Sequence, residues 1–158
     1  GAWITFFEQM QQLRGMETLL IDLAEDSREI CRLRDDLLDF NLRWIDRWLD
    51  FEYDGLHFAD DWGDQKSLLI SPHVWRSFFK PVYRKMFEKV TSAGMHVHFH
   101  SDGCIIDIIP DLLDRWAGGP LAAGENATFW LTLHVPASAR PGPQPRSHPI
   151  KGSSRRTT

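Results

Sequence analysis

A chain of 158 residues, 42% hydrophobic and 25% charged, is long enough for one domain with a sizeable core. A net charge of −4 argues against a nucleic-acid partner, and no apolar run approaches the ~18–20 residues of a membrane span. Two cysteines, Cys31 and Cys104, are too few for a disulfide framework, which fits a reducing, cytoplasmic setting. No secretory signal opens the chain. It starts in mid-pattern (Ala2, Trp3, Ile4, Phe6, Phe7) without an initiator Met, so an internal piece of a longer protein is expected.

Trp3–Leu13 is apolar at roughly helical spacing. Gly15 interrupts it and Glu17–Leu23 resumes a short helix. Asp26, with Glu29 three residues later, resembles a capping signature. Ile30, Leu33, Leu37, Leu42, Ile45 and Leu49 then recur every three to four residues, which predicts an amphipathic helix over 27–50. Asp54-Gly55 turns the chain into a strand, Leu56–Ala59. Ser71-Pro72 is a helix start, a capping hydroxyl followed by Pro at the first helical position. That helix runs to Ala93, with a kink or split expected at Pro81, and Gly94 ends it. A second strand covers Met95–His100, Asp102-Gly103 makes a turn, and a helix follows over Ile105–Trp116. Strand, polar loop, helix, strand, polar loop, helix is the grammar of a parallel α/β fold, in which chemistry sits at the carboxyl ends of the strands.

Charge and proline content divide the chain at residue 116. Residues 1–116 hold 13 basic and 21 acidic side chains; residues 117–158 hold five basic and one acidic, Glu125, together with six of the nine prolines. Residues 1–116 read as a domain. Residues 117–158 read as a disordered tail, or as one foreign to that domain, with 129–135 (FWLTLHV) its one strand-like segment.

Two segments carry candidate chemistry, GLHFADDWGDQ (55–65) and MHVHFHSDGC (95–104). Asp60 and Asp61 are adjacent, so in extended geometry they face opposite ways, one to a pocket and one to the helix layer. A carboxylate there can bind a cation, accept substrate N–H bonds or act as a base; the plainer role is capping the next loop. Trp62 and Gln65 suit a planar ligand, unless Trp62 covers the end of the sheet. His96, His98 and His100 alternate with Val97 and Phe99 and so share one face. His96 and His98 read as hydrogen-bonded core residues. His100, at the strand end, is the functional candidate, since an imidazole can donate, accept or bind metal. Ser101, Asp102 and Gly103 lead into a helix whose first amides suit a substrate carboxylate. Cys104 reads as a packed residue. Asp60 and His100 are thus the catalytic candidates, and Asp61, Trp62, Gln65, Ser101, Asp102 and Gly103 the substrate-binding ones.

GMETLL (15–20), FADDWGDQ (58–65), Ile70-Ser71-Pro72 with Trp75, Phe78, Phe79, Pro81 and Tyr83, and His100-Ser101-Asp102-Gly103 together resemble the uroporphyrinogen decarboxylase family. Its superfamily includes cobalamin-linked methyltransferases. The resemblance covers residues 3–116 and none of the tail. It implies part of a (β/α)8 TIM barrel, incomplete because a barrel takes ~250 residues, and it implies porphyrin metabolism. Neither the arginine nor the aspartate that the family uses near its N-terminus to bind porphyrinogen is present. Decarboxylases of the family work without metal or cofactor: a protonated pyrrole accepts the electrons left as CO2 departs. Their strand end reads Asp-Ser-Trp-Ala-Gly where this chain has Asp60-Asp61-Trp62-Gly63. The methyltransferases hold zinc with His-x-Cys and a distant Cys and take the methyl group from a corrinoid. Here Asp102 stands at the Cys position, leaving a His100/Asp102 metal site as the alternative. The expected partner is a small-molecule substrate, with a homodimer or a corrinoid protein possible in a longer parent. Two further readings are a metal hydrolase built on His98 and His100, and a catalytically inactive fragment.

Overall fold

In a computed structural model of the chain, residues 3–113 and 129–134 are described. Two-residue strand β1 (Trp3–Ile4) leads into helices α1 (Phe7–Arg14), α2 (Met16–Glu25) and α3 (Arg28–Leu49). Strand β2 (Gly55–Ala59) follows, then α4 (Pro72–Val74), a π-helical turn (Trp75–Phe79) and α5 (Lys80–Ser92). Strand β3 (His96–Asp102), a 3-10 turn (Ile106–Ile108), α6 (Ile109–Leu113) and β4 (Phe129–His134) complete the described elements. The four strands form one sheet, all parallel, in the order β1-β2-β3-β4. The fold is therefore mixed α/β with a parallel sheet.

Several boundaries differ from the sequence-based expectations. Trp3–Leu13 is not one helix: Trp3 and Ile4 pair with His57 and Phe58, and helix begins only at Phe7. Ser27, not Asp26, caps α3 by accepting a bond from the Ile30 amide, while Asp26 closes α2 in the left-handed region at φ 50°. Ser71 caps α4 as anticipated, accepting from the Val74 amide at 3.2 Å. Pro81 has no N–H, so the backbone widens just before it into the π turn, where the Lys80 amide donates to the Trp75 carbonyl. Gly94, at φ 79°, terminates α5; its amide bonds to Thr91 and that of Met95 to Val90. Of the predicted helix 105–116, the described residues form a 3-10 turn and then α6, Ile109–Leu113; residues 114–116 lie outside the described residues. Within the 117–158 tail, 129–134 forms β4; the rest of the tail lies outside the described residues.

The sheet has two unlike faces because strand side chains alternate. Leu56 and Phe58 of β2, with Val97 and Phe99 of β3, point to the helices and are almost completely buried. They join Ile4, Phe6, Tyr83 and Phe87 in the core. At about 1.5–3 kcal/mol for each large apolar side chain buried, this face supplies much of the stabilisation. The opposite face carries His57, His96, His98 and His100, all half-buried.

Two loops cross at the carboxyl ends of β2 and β3. The Cys104 amide donates to the Asp64 carbonyl at 2.8 Å, which brings Gly63 and Gly103 backbone to backbone. A Cβ on Gly103, itself at φ 84°, would lie 2.2 Å from the Gly63 oxygen. Gly103→Ala should therefore destabilise the fold by roughly 2–4 kcal/mol. Urea unfolding would show this as a lower midpoint at unchanged slope; an unchanged midpoint would mean that the loops do not cross this tightly.

Candidate active site at the carboxyl rim of the sheet

β3 ends on His100, Ser101 and Asp102, so His100 and Asp102 share a face while Ser101 points the other way. Ala59 of β2 is the register partner of His100, which places Asp61, two residues on, beside Asp102. The contacts follow that geometry. His100 Nε2 lies 3.2 Å from Asp102 Oδ1, and the Asp102 amide donates to Asp61 Oδ1 at 2.8 Å. One ligand atom from each of Asp61, His100 and Asp102 lies within 4.8 Å of the others. Glu8, in the first turn of α1, joins them. Burial pushes its carboxyl above the usual range, Asp61 adds to the rise, and His100 opposes it. The rim is thus one imidazole among three carboxylates.

Asp60, the first catalytic candidate, is not in this cluster. It points to the helix layer, is fully buried, and accepts bonds from the amides of Phe6 (2.8 Å) and Glu8 (2.9 Å) and from the Tyr83 hydroxyl. The alternation that separates the two aspartates sends Asp60 inward and Asp61 to the rim. Ser101 is also inward and fully buried, its hydroxyl accepting from the Trp62 amide at 3.2 Å. Trp62 is a core side chain, stacked on Phe7 with ring centres 4.2 Å apart, rather than a platform for a ligand. Gln65 is exposed in the turn between Asp64 and Ser67, and Gly103 serves the loop crossing. Of the substrate-binding candidates, Asp61 and Asp102 meet at the rim with His100.

Two rim-side residues escaped the sequence reading. Glu8 lay in what read as continuous helix. His57 lay in a strand whose pairing was unknown, although its alternation with Leu56 and Phe58 was a signal. The register sets His57 opposite His98, and their Nδ1 atoms are 2.7 Å apart, so one donates and the other accepts. His98 Nε2 lies 2.7 Å from Thr132 Oγ1. Burial, then His98 and His100, push His57 below the usual imidazole range. An opening of about 410 Å3 lined by Asp54, Gly55, Leu56, His57, His96 and His98 lies at the foot of this face.

The donor set at the rim tests the metal alternatives. A zinc–thiolate centre does not fit, because the cluster holds no thiol and the buried Cys104 is outside it. An imidazole with carboxylates fits a harder divalent cation. Among the described residues no helix is long and apolar enough to cross a membrane. No protein-family model, curated protein or solved structure matches the chain.

Asp60 has a pH signature. Burial raises its carboxyl from 3.8 to about 7, against the downward pull of the hydrogen bonds from Tyr83, Glu8 and Phe6. Between those values the folded chain holds a proton that the unfolded chain has released. Its stabilising contribution is complete below the ordinary carboxylate range and is lost as pH rises through about 7. Urea titrations of the wild type should show stability falling by a few kcal/mol across that window. Asp60→Asn should flatten the slope, and an identical slope in the variant would refute the assignment.

Proposed function

We propose that this chain carries the working rim of a (β/α)8 enzyme related to the uroporphyrinogen decarboxylases, and that it decarboxylates a tetrapyrrole or a related carboxylate. The observation that supports this most directly is the gathering of Asp61 and Asp102 around His100 at the ends of sequential parallel strands, with Glu8 electrostatically coupled to Asp61 and His100. Decarboxylation of this kind needs a proton source and a stabilised cation. His100, oriented by Asp102, gives a proton to the substrate ring. The C–C bond to the carboxylate then breaks, CO2 leaves, and the bonding pair stays behind and neutralises the ring. A proton from solvent is placed on the exocyclic carbon, and the ring proton returns to His100. Negative side chains fixed around the developing positive charge lower its energy without reorganisation. Asp61, at the rim, rather than the buried Asp60, would supply that charge.

A second reading is favoured by the three donors within 4.8 Å of one another. Asp61, His100 and Asp102 would hold a divalent cation, which supplies Lewis-acid chemistry to a bound substrate, as in a relative of the corrinoid-dependent methyltransferases without their thiolates.

The test is anaerobic incubation of the protein with a porphyrinogen, followed by chromatography of the products. Less-carboxylated product should form in the presence of EDTA, and His100→Ala should slow it by about 10²–10⁴-fold, the usual worth of a positioned acid–base group. No product from wild type would remove the decarboxylase reading. One tightly bound metal equivalent, lost in His100→Ala, would transfer the argument to the cation site.

A further inference from the structure

The imidazole face carries a nitrogen pair that the rim chemistry does not use. Parallel register sets His57 of β2 opposite His98 of β3. Their rings approach nitrogen to nitrogen, with the Nδ1 atoms 2.7 Å apart and the ring centres 4.5 Å apart. Both rings are held from outside the pair. Trp3 of β1 packs on His57 with ring centres 4.9 Å apart, and Thr132 Oγ1 of β4 lies 2.7 Å from His98 Nε2. An imidazole that donates from Nε2 to such an oxygen presents the lone pair of Nδ1, which is how metal-bound histidines are commonly oriented. His57 Nε2 is buried and has no hydrogen-bond partner among the described residues, so no contact there fixes which nitrogen carries the proton.

We propose that His57 and His98 form a second metal site, distinct from the oxygen-rich rim, which takes copper(II) or nickel(II) through the two Nδ1 atoms. The ion replaces the proton between them. That proton moves to His57 Nε2, His98 keeps its own on Nε2, and both rings remain neutral. With metal–imidazole bonds of ~2.0–2.1 Å, two nitrogens at right angles lie ~2.9 Å apart and two at the tetrahedral angle ~3.3 Å apart. The observed pair, at 2.7 Å, is nearer the first. Right angles belong to tetragonal copper and nickel sites rather than to zinc, and copper heads the affinity order for a given donor set. His57, His96 and His98 line the opening of about 410 Å3 at the foot of the sheet, which leaves space for water or a small oxygen- or nitrogen-donor ligand to complete the coordination. His100, its ring centre 6.5 Å from that of His57, stays with the rim. The site goes beyond the decarboxylase reading and does not depend on it.

The test is titration of copper(II) into the 158-residue chain against excess glycine, which strips ions held by single surface imidazoles, with calorimetry and electron paramagnetic resonance as readouts. The retained ion should show the nitrogen splitting of two imidazoles. His57→Ala and His98→Ala, each with an unchanged far-UV circular dichroism spectrum, should lose that ion, and His100→Ala should keep it. If either alanine variant loses its spectrum, His57→Gln and His98→Gln, which keep a polar side chain on the strand, carry the test. Splitting from one nitrogen, retention without His98, or loss in His100→Ala would overturn the proposal and move the ion to the rim. No copper retained against glycine would overturn it as well.

Discussion

The carboxylate of Asp60 is the constraint on which the arrangement depends. It emerges from the end of β2 into the helix layer and takes hydrogen bonds from three separate places: two amides at the start of α1 and the Tyr83 hydroxyl of α5. A helix start carries orphan amides that must find acceptors, and here a buried side chain provides one. The result is a clamp joining the end of β2 to the start of α1 and to α5. Because one of those amides belongs to Glu8, the same clamp delivers the Glu8 side chain to the neighbourhood of Asp61 and His100. A residue with no access to substrate thus sets the composition of the rim.

Around that clamp the parallel register separates two kinds of chemistry. Inward positions are aromatic and aliphatic: Phe58, Phe99 and Trp62 pack with Phe7, Tyr83 and Phe87, mostly edge-to-face. Outward positions are imidazoles along the strands and carboxylates at their ends. Three acids near one another favour whatever positive charge can be placed between them, whether on a protonated ring or on a metal ion. That shared preference is why the cationic-intermediate and metal readings compete for one place. The lack of a thiolate in the cluster narrows the second to hard donors.

Much of this was legible locally. Ser71-Pro72 and Gly94 mark helix ends through hydrogen-bonding capacity and backbone freedom that belong to those residues alone. The alternation in His96–His100 predicts one imidazole face whatever the strand pairs with. Local signals failed where a partner distant in sequence decides. Trp3 and Ile4 are strand only because β2 lies beside them, and two residues carry no period of their own. The widening at Trp75–Phe79 depends on how the chain accommodates the missing amide of Pro81, and a kink would have met the same need. Ser27 displaced Asp26 as the cap of α3 because α2 runs on to Glu25, two residues past Leu23, and Asp26 closes it.

By itself, the sequence determined that Asp60 and Asp61 face opposite ways and that the β3 histidines share a side. Those follow from strand geometry. Which aspartate reaches the rim was decided only in three dimensions, by the amides of α1 and the Tyr83 hydroxyl that claim the other one. The membership of Glu8 and His57 was decided there too, since proximity across strands depends on register, and register is a property of the assembled sheet.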